Sequence, residues 1–165
     1  MKRRHFLALL PAALVAGCGF QLRRYDGIPF ATLYLDAPAG GAVAQRLRSS
    51  LVANRHTRLV ASAAEAEAVL HLSQEIRSKA ILSLSGAGRV AEYRLGLTLR
   101  YSVSGRDGAV LAPEEVIELT RDMTYDDAQI LAKAAEEDLL HRDMTDTAAL
   151  RIVRRLQALK PATGS

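Results

Sequence analysis

The sequence predicts an α+β fold: a two-layer sandwich in which a mixed sheet of about four strands carries two helices packed on one face. Three observations support it. Residues 93–104 alternate apolar and polar side chains, two segments repeat apolar residues at helical spacing, and the elements follow the order strand, helix, three strands, long helix.

Residues 30–36 (FATLYLD) alternate around Leu33 and Leu35 and predict the first strand, ended by the turn formers Ala37-Pro38-Ala39-Gly40-Gly41. From 42 to about 54, Val43, Leu47 and Leu51 recur at every fourth position with Arg46, Arg48 and Arg55 elsewhere, as in an amphipathic helix. Residues 58–61 predict a short extended piece, and the alanine- and glutamate-rich residues 63–68 a helical turn. In residues 69–76 (VLHLSQEI), alternation places Leu70, Leu72 and Ile76 on one face of a second strand.

Residues 93–104 are the clearest strand. Leu95, Leu97, Leu99, Tyr101 and Val103 point one way and Arg94, Thr98, Arg100 and Ser102 the other, so one face is core and the other is wet. Gly105-Arg106-Asp107-Gly108 signals a turn, and residues 116–125 alternate again with Ile117, Leu119, Met123 and Tyr125 on one side, completing a hairpin. Asp126-Asp127 then offers an N-cap with Gln129 in the capping-box position, and no Gly or Pro follows until Pro161. Thirty-odd residues at about 1.5 Å each make a helix of about 50 Å. Its expected break is Thr145-Asp146-Thr147, where short polar side chains compete for backbone groups and Thr147 is β-branched.

The front of the chain reads as export machinery. Lys2, Arg3 and Arg4 precede eleven uncharged residues, Phe6 to Ala16, and the small pair Ala16-Gly17, the layout of a secretory signal. Eleven residues of helix rise only about 16 Å, roughly half the hydrocarbon thickness of a bilayer. Cys18 follows at once and is the single cysteine, so it forms no internal disulfide. The organisation expected is a signal at 1–17, a tether at 18–29, one domain at 30–160 and a tail at 161–165.

Val15-Ala16-Gly17-Cys18 resembles a bacterial lipobox, in which the cysteine becomes the first mature residue and carries a diacylglycerol on sulfur and an acyl chain on its amine. Two or more acyl chains anchor a protein stably, each buried methylene adding roughly 0.8 kcal/mol. Gly19 stands where an Asp would resemble an inner-membrane retention signal, so the address implied is the outer membrane, facing the periplasm. Arg3-Arg4-His5-Phe6-Leu7 also resembles a twin-arginine export motif, which leaves the export route open.

Charge is distributed unevenly. The formal +4 owes three charges to Lys2, Arg3 and Arg4, but residues 76–106 hold Arg77, Lys79, Arg89, Arg94, Arg100 and Arg106 against only Glu92. Residues 107–146 hold twelve acids against Arg121, Lys133 and Arg142. Many of these charges are expected to pair across neighbouring elements, and the cationic surplus is suited to an anionic partner. Export excludes nucleic acid as that partner, and Tyr93 and Tyr101 alone offer stacking in the basic stretch. An anionic lipid or glycolipid is the accessible polyanion, with Arg77, Lys79, Arg89, Arg94 and Arg100 as candidate contacts.

No enzyme chemistry is expected. Cys18 is consumed as an anchor, no G-x-S-x-G elbow occurs, and His5, His56, His71 and His141 lack metal-type partners, so catalytic, metal and cofactor sites are predicted absent apart from the covalent lipid. Gly86-Ala87-Gly88-Arg89-Val90-Ala91 matches G-x-G-x-x-A, but a strand follows it and not a helix, so it reads as a hairpin loop. Glu136-Glu137-Asp138 with Asp143 and Asp146 reads as a solvated helix face.

Taken together, Cys18-Gly19-Phe20-Gln21-Leu22-Arg23, Ala91-Glu92-Tyr93, Leu131-Ala132-Lys133 with Glu136, and Arg154-Arg155-Leu156 resemble the LptE family of LPS-assembly lipoproteins, in order and over almost the whole mature chain. The resemblance implies a four-stranded sheet with two helices on one face, a place inside the lumen of the outer-membrane β-barrel LptD as its plug and assembly factor, and binding of lipopolysaccharide on its way to the surface. Lys133 matches the family lysine implicated in lipopolysaccharide contact. The family's other basic residue precedes A-E-Y at an offset where this chain has Gly86, and Arg89 stands three residues nearer the strand, so its assignment rests on reach. An i, i+3 or i, i+4 pair with Glu136 or Glu137 is the competing role for Lys133. The alternative function is an adaptor lipoprotein of another envelope complex, with the basic loop as a protein interface.

Overall fold

The computed structural model describes residues 27–53 and 56–160. The expected signal, Cys18, most of the tether, the end of the first helix at 54 and the tail at 161–165 lie outside the described residues. Five strands form one sheet in the order β2-β1-β3-β4-β5: β1 (Thr32–Asp36), β2 (Arg58–Leu59), β3 (Ala68–Leu84), β4 (Val90–Gly105) and β5 (Val110–Thr124). β1 pairs in parallel with β2 and β3, whereas β3, β4 and β5 form an antiparallel meander. The strand beyond the four expected is β2, only two residues long. Helix α1 (Ala42–Val52) connects β1 to β2, and α2 (Ile130–Ala158) follows β5 through a 3₁₀ turn whose Asp126 carboxylate accepts from the Ala128 N–H at 2.9 Å.

The core lies between one sheet face and both helices. Leu33 and Leu35 of β1, Leu70 and Leu72 of β3, Leu95 to Val103 of β4 at every second position, and Ile117 and Leu119 of β5 meet Val43, Leu47 and Leu51 of α1 and Met144, Ala148, Ile152 and Leu156 of α2. This cluster fills the lower end of the domain, where the chain enters at Ile28 and Phe30, and extends along β4 as far as Leu95, opposite Lys79. The β3–β4 hairpin continues upward, 17 residues of β3 spanning about 55 Å at strand rise.

Three expectations are corrected. β3 does not stop near Ile76 but runs to Leu84, and β5 begins at Val110 instead of 116, because pairing with the long β4 satisfies backbone groups beyond the apolar core. α2 passes through Thr145-Asp146-Thr147 unbroken; the Thr145 hydroxyl donates to the His141 carbonyl at 2.9 Å, so it is satisfied inside the helix it was expected to disrupt. Ile76 does not share the face of Leu70 and Leu72 and is 47 % exposed. Pairing jumps from Leu72 opposite Tyr101 to Gln74 opposite Arg100, so Ser73 is an inserted residue, a β-bulge.

The bulge inverts the strand. Opposed residues of an antiparallel pair share a face, and above Ser73 it is Glu75, Arg77 and Lys79 that stand opposite Leu99, Leu97 and Leu95. Glu75 is thereby delivered to the start of α1. Its carboxylate accepts from the Ala42 N–H at 3.0 Å and the Val43 N–H at 3.2 Å, serving a helix whose N-cap, Gly41, has no side chain to offer. Glu75→Ala should therefore lower stability by about 1–2 kcal/mol, with Glu75→Gln, which keeps an acceptor, losing less; denaturant titration of both variants checks the order.

Candidate ligand-binding end

Above the core the two layers are held apart by polar and aromatic side chains. From β3, Lys79 makes an ion pair with Glu137 of α2 and lies 4.4 Å from the centroid of the Tyr93 ring, a cation–π contact. Tyr93 in turn meets Tyr125 edge to face, with centroids 5.1 Å apart and planes at 79°. Arg121 of β5 reaches Asp143 of α2 at 2.7 Å. Lys133 donates to Glu136 at 2.9 Å and to the Thr124 hydroxyl at 3.0 Å, leaving 13 % of its side chain exposed. The i, i+3 pair with Glu136 expected of Lys133 therefore exists, and the same ammonium also reaches the end of β5.

Apolar side chains stand bare around this polar seam. Ile81, Leu82 and Leu84 on β3 and Ile130 and Leu131 on the first turn of α2 are all exposed, Leu131 by 87 %. No residue of α2 before Met144 is buried, although the helix is continuous. The hairpin loop closes over Ser85, whose carbonyl accepts from the Gly88 N–H at 2.9 Å and whose amide donates to the Arg89 carbonyl at 2.7 Å, with Gly88 at a φ of +74° that only glycine adopts freely. The motif at 86–91 is therefore a hairpin loop, and Arg89 is exposed at its end with no ion pair among the described residues.

The six cations read from the sequence do not form one patch. Arg77 and Lys79 face α2, Lys133 sits across from them, and Arg89 crowns the loop. Arg94 and Arg100 lie on the opposite sheet face: Arg94 holds Asp122 through two bonds of 2.7 and 2.9 Å, and Arg100 bonds Glu114 at 3.3 Å and Gln74 at 3.0 Å. The Asp122 bonds raise the pKa of Arg94 further, and the same bonds lower that of Asp122. Sequence reasoning missed Glu137 as the partner of Lys79, because the Ser73 bulge that turns Lys79 toward α2 has no signature in the residues themselves, and it missed Thr124 as the second partner of Lys133, which only the fold brings near.

A second polar node pins the lower half of α2. The Tyr101 hydroxyl donates to Glu115 at 2.6 Å, and Arg155 reaches the other oxygen of the same carboxylate at 2.7 Å. Burial, then the bond to Glu115, pushes the Tyr101 pKa well up, and the bond from Tyr101 outweighs burial to lower that of Glu115.

Among the described residues no group of three or more His, Asp or Glu side chains is placed to hold a metal ion, and no helix is long and apolar enough to cross a membrane. Fold and site together define a small α+β domain of two layers, with cations and bare aliphatic side chains gathered at one end. The comparisons name its family. The model of the LptE family, lipopolysaccharide-assembly, matches residues 30–156. LPS-assembly lipoproteins LptE from Photorhabdus laumondii and Pectobacterium atrosepticum are 30 % and 32 % identical, over 94 % of this chain and 87 % and 86 % of theirs. The solution structure of lipoprotein B from Nitrosomonas europaea superposes with a TM-score of 0.72 at 38 % identity, covering 85 % of this chain and 91 % of that one. Rare lipoprotein B from Shewanella oneidensis superposes at 0.66 with 30 % identity, covering 76 % and 92 %. The chain belongs to the LptE family.

His141 gives the seam a pH response. Its Nδ1 is buried with no hydrogen-bond partner, and burial, then the charge of Arg77 and to a smaller degree Lys79, hold its pKa below the ordinary 6.5 against the opposing pull of Glu137 and Asp138. A lowered folded pKa means that the unfolded chain binds the proton first, so this contribution is complete above about pH 6.5 and is lost as pH falls toward the folded value. Denaturation midpoints measured from pH 8 to pH 5.5 should fall for the parent chain and fall less for His141→Gln.

Proposed function

We propose that the chain is a non-catalytic outer-membrane lipoprotein, acylated at Cys18 and facing the periplasm, whose domain plugs and assists assembly of the LptD β-barrel and binds lipopolysaccharide at its upper end. The observation that carries the reading is the apposition of Lys133, Lys79, Arg77 and Arg89 with exposed Ile81, Leu82, Leu84, Ile130 and Leu131. A ligand with phosphorylated sugars and several acyl chains needs both kinds of surface. Guanidinium forks take phosphate oxygens in pairs and ammonium groups act as point charges. The relatives' name, LPS-assembly lipoprotein, points to the same chemistry.

Each cation has a distinct part in this proposal. Arg89 is free to turn toward a headgroup. Lys133 and Lys79 are engaged by Glu136 and Glu137, so ligand phosphate competes with a helix carboxylate for each ammonium. Arg94 and Arg100, paired with Asp122 and Glu114 on the far face, carry no ligand contact in this proposal. That far face, with its ladder of paired charges, suits the polar lumen of a barrel.

Arg89→Gln combined with Lys133→Gln should weaken lipopolysaccharide binding about tenfold or more, leaving the fold and co-elution with the barrel unchanged. Unchanged affinity at low salt places the ligand elsewhere, and a detergent extract in which no β-barrel protein accompanies the chain favours the adaptor role.

A further inference from the structure

The lower end of the helix layer carries charge of one sign that neither the core nor the upper end uses. Residues 42–60 and 147–160 contain no Asp or Glu, whereas α2 above Thr147 contains Glu136, Glu137, Asp138, Asp143 and Asp146. Arg46 and Arg155 are balanced from outside these segments, by Asp146 and Glu115 at 2.7 Å each. Arg48, Arg58, Arg151, Arg154 and Lys160 are exposed and make no ion pair among the described residues. Stabilisation of helix carbonyls does not explain them: the last turn of α1 holds no basic residue, and that of α2 holds only Arg155, already bound to Glu115. Leu150, one turn before Arg154 on the side of α2 away from its buried residues, is 46 % exposed.

The chain enters the domain at this same end. Ile28 and Phe30 join the lower core, the Ile28 carbonyl accepts from the Thr57 hydroxyl, and the Arg58 amide donates to Ala31 at 2.9 Å. About ten residues separate Cys18 from Ile28, a reach of at most ~35 Å. A domain held that close to a bilayer meets its surface at high effective concentration, and each arginine near an anionic surface then adds on the order of fivefold in affinity.

We propose that the lower end of the domain, with Arg48, Arg58, Arg151, Arg154, Lys160 and Leu150, docks against the headgroups of an anionic phospholipid bilayer and so holds the tethered domain at the membrane surface before it enters the barrel. The proposal rests on the acylated Cys18 of the preceding section for its tether, and the face itself is read independently of the acyl chains.

The test uses the full chain isolated from membranes, with Leu150→Cys carrying an environment-sensitive fluorophore, reconstituted into vesicles of phosphatidylcholine alone or of phosphatidylcholine and phosphatidylglycerol in two-to-one ratio, each with doxyl-labelled lipid as quencher. Quenching is expected on the anionic vesicles and not on the neutral ones, falling at least tenfold in apparent affinity with Arg48→Gln, Arg151→Gln and Arg154→Gln combined, while a fluorophore at Ser85→Cys on the hairpin loop stays unquenched. A label at 150 that remains in water on anionic vesicles, a response untouched by the triple substitution, or quenching at 85 instead, overturns the docking face. Maleimide reaction at Cys18 of the parent chain contradicts the acyl anchor alone, since co-sedimentation with the same vesicles still reads the face.

Discussion

One inserted residue, Ser73, decides what the rest of the structure can be. Below it β3 turns Leu70 and Leu72 into the core, and above it the same side of the sheet receives Glu75, Arg77 and Lys79. A side-chain period of two makes any single-residue slip total, so the bulge converts an apolar strand into a polar one without changing partner or direction. Helix α1 depends on it through the Glu75 carboxylate at its first amides, α2 through the Lys79 to Glu137 pair, and His141 through the nearby charge of Arg77.

The result is a domain with two regimes along one long axis. In the lower half, stability comes from aliphatic packing, where truncating a side chain such as Leu70 leaves a cavity and costs about 2–5 kcal/mol. In the upper half the layers touch through partly solvated ion pairs, each of which contributes roughly 0–1 kcal/mol. α2 belongs to both: Met144, Ala148, Ile152 and Leu156 are sealed in the core, whereas the turns before Met144 hold only partly buried side chains such as Leu140 and Lys133. A helix secured at one end and lightly held at the other can exchange a carboxylate partner for a ligand phosphate without unfolding the core, which is the energetic basis of the proposed ligand seat. Family membership fits this division, since the matched region, residues 30–156, spans both regimes.

Legibility in the sequence followed the same boundary. β4 was readable because its five inward residues from Leu95 to Val103 alternate with polar ones, and all five are buried. α1 was readable from Val43, Leu47 and Leu51. The upper half of β3 was not, because residues 77–84 mix charged and aliphatic side chains and their strand state is imposed by the partner β4 rather than by a core face. A bulge has no local signature, so alternation alone puts Ile76 on the face of Leu70 and Leu72, which it does not share. The break at Thr145 failed for a local reason, as its hydroxyl bonds the carbonyl one turn back and the helix continues. In the candidate site, the Lys133 pair with Glu136 followed from i, i+3 spacing and its proposed ligand role from family resemblance, but its second partner, Thr124, required the fold. Arg94 and Arg100 show the limit of charge counting: they stand in the basic stretch, yet Asp122 and Glu114 of the next strand neutralise them.

The central claim is that ligand engages the upper regime alone. Amide hydrogen exchange of the whole chain, with and without purified lipopolysaccharide, tests it most directly. Slowed exchange confined to the hairpin from 77 to 93 and the segment from 124 to 141, with the lower strands and the second half of α2 unchanged, is the predicted result. Protection centred on the lower half, or none at saturating ligand, would contradict it.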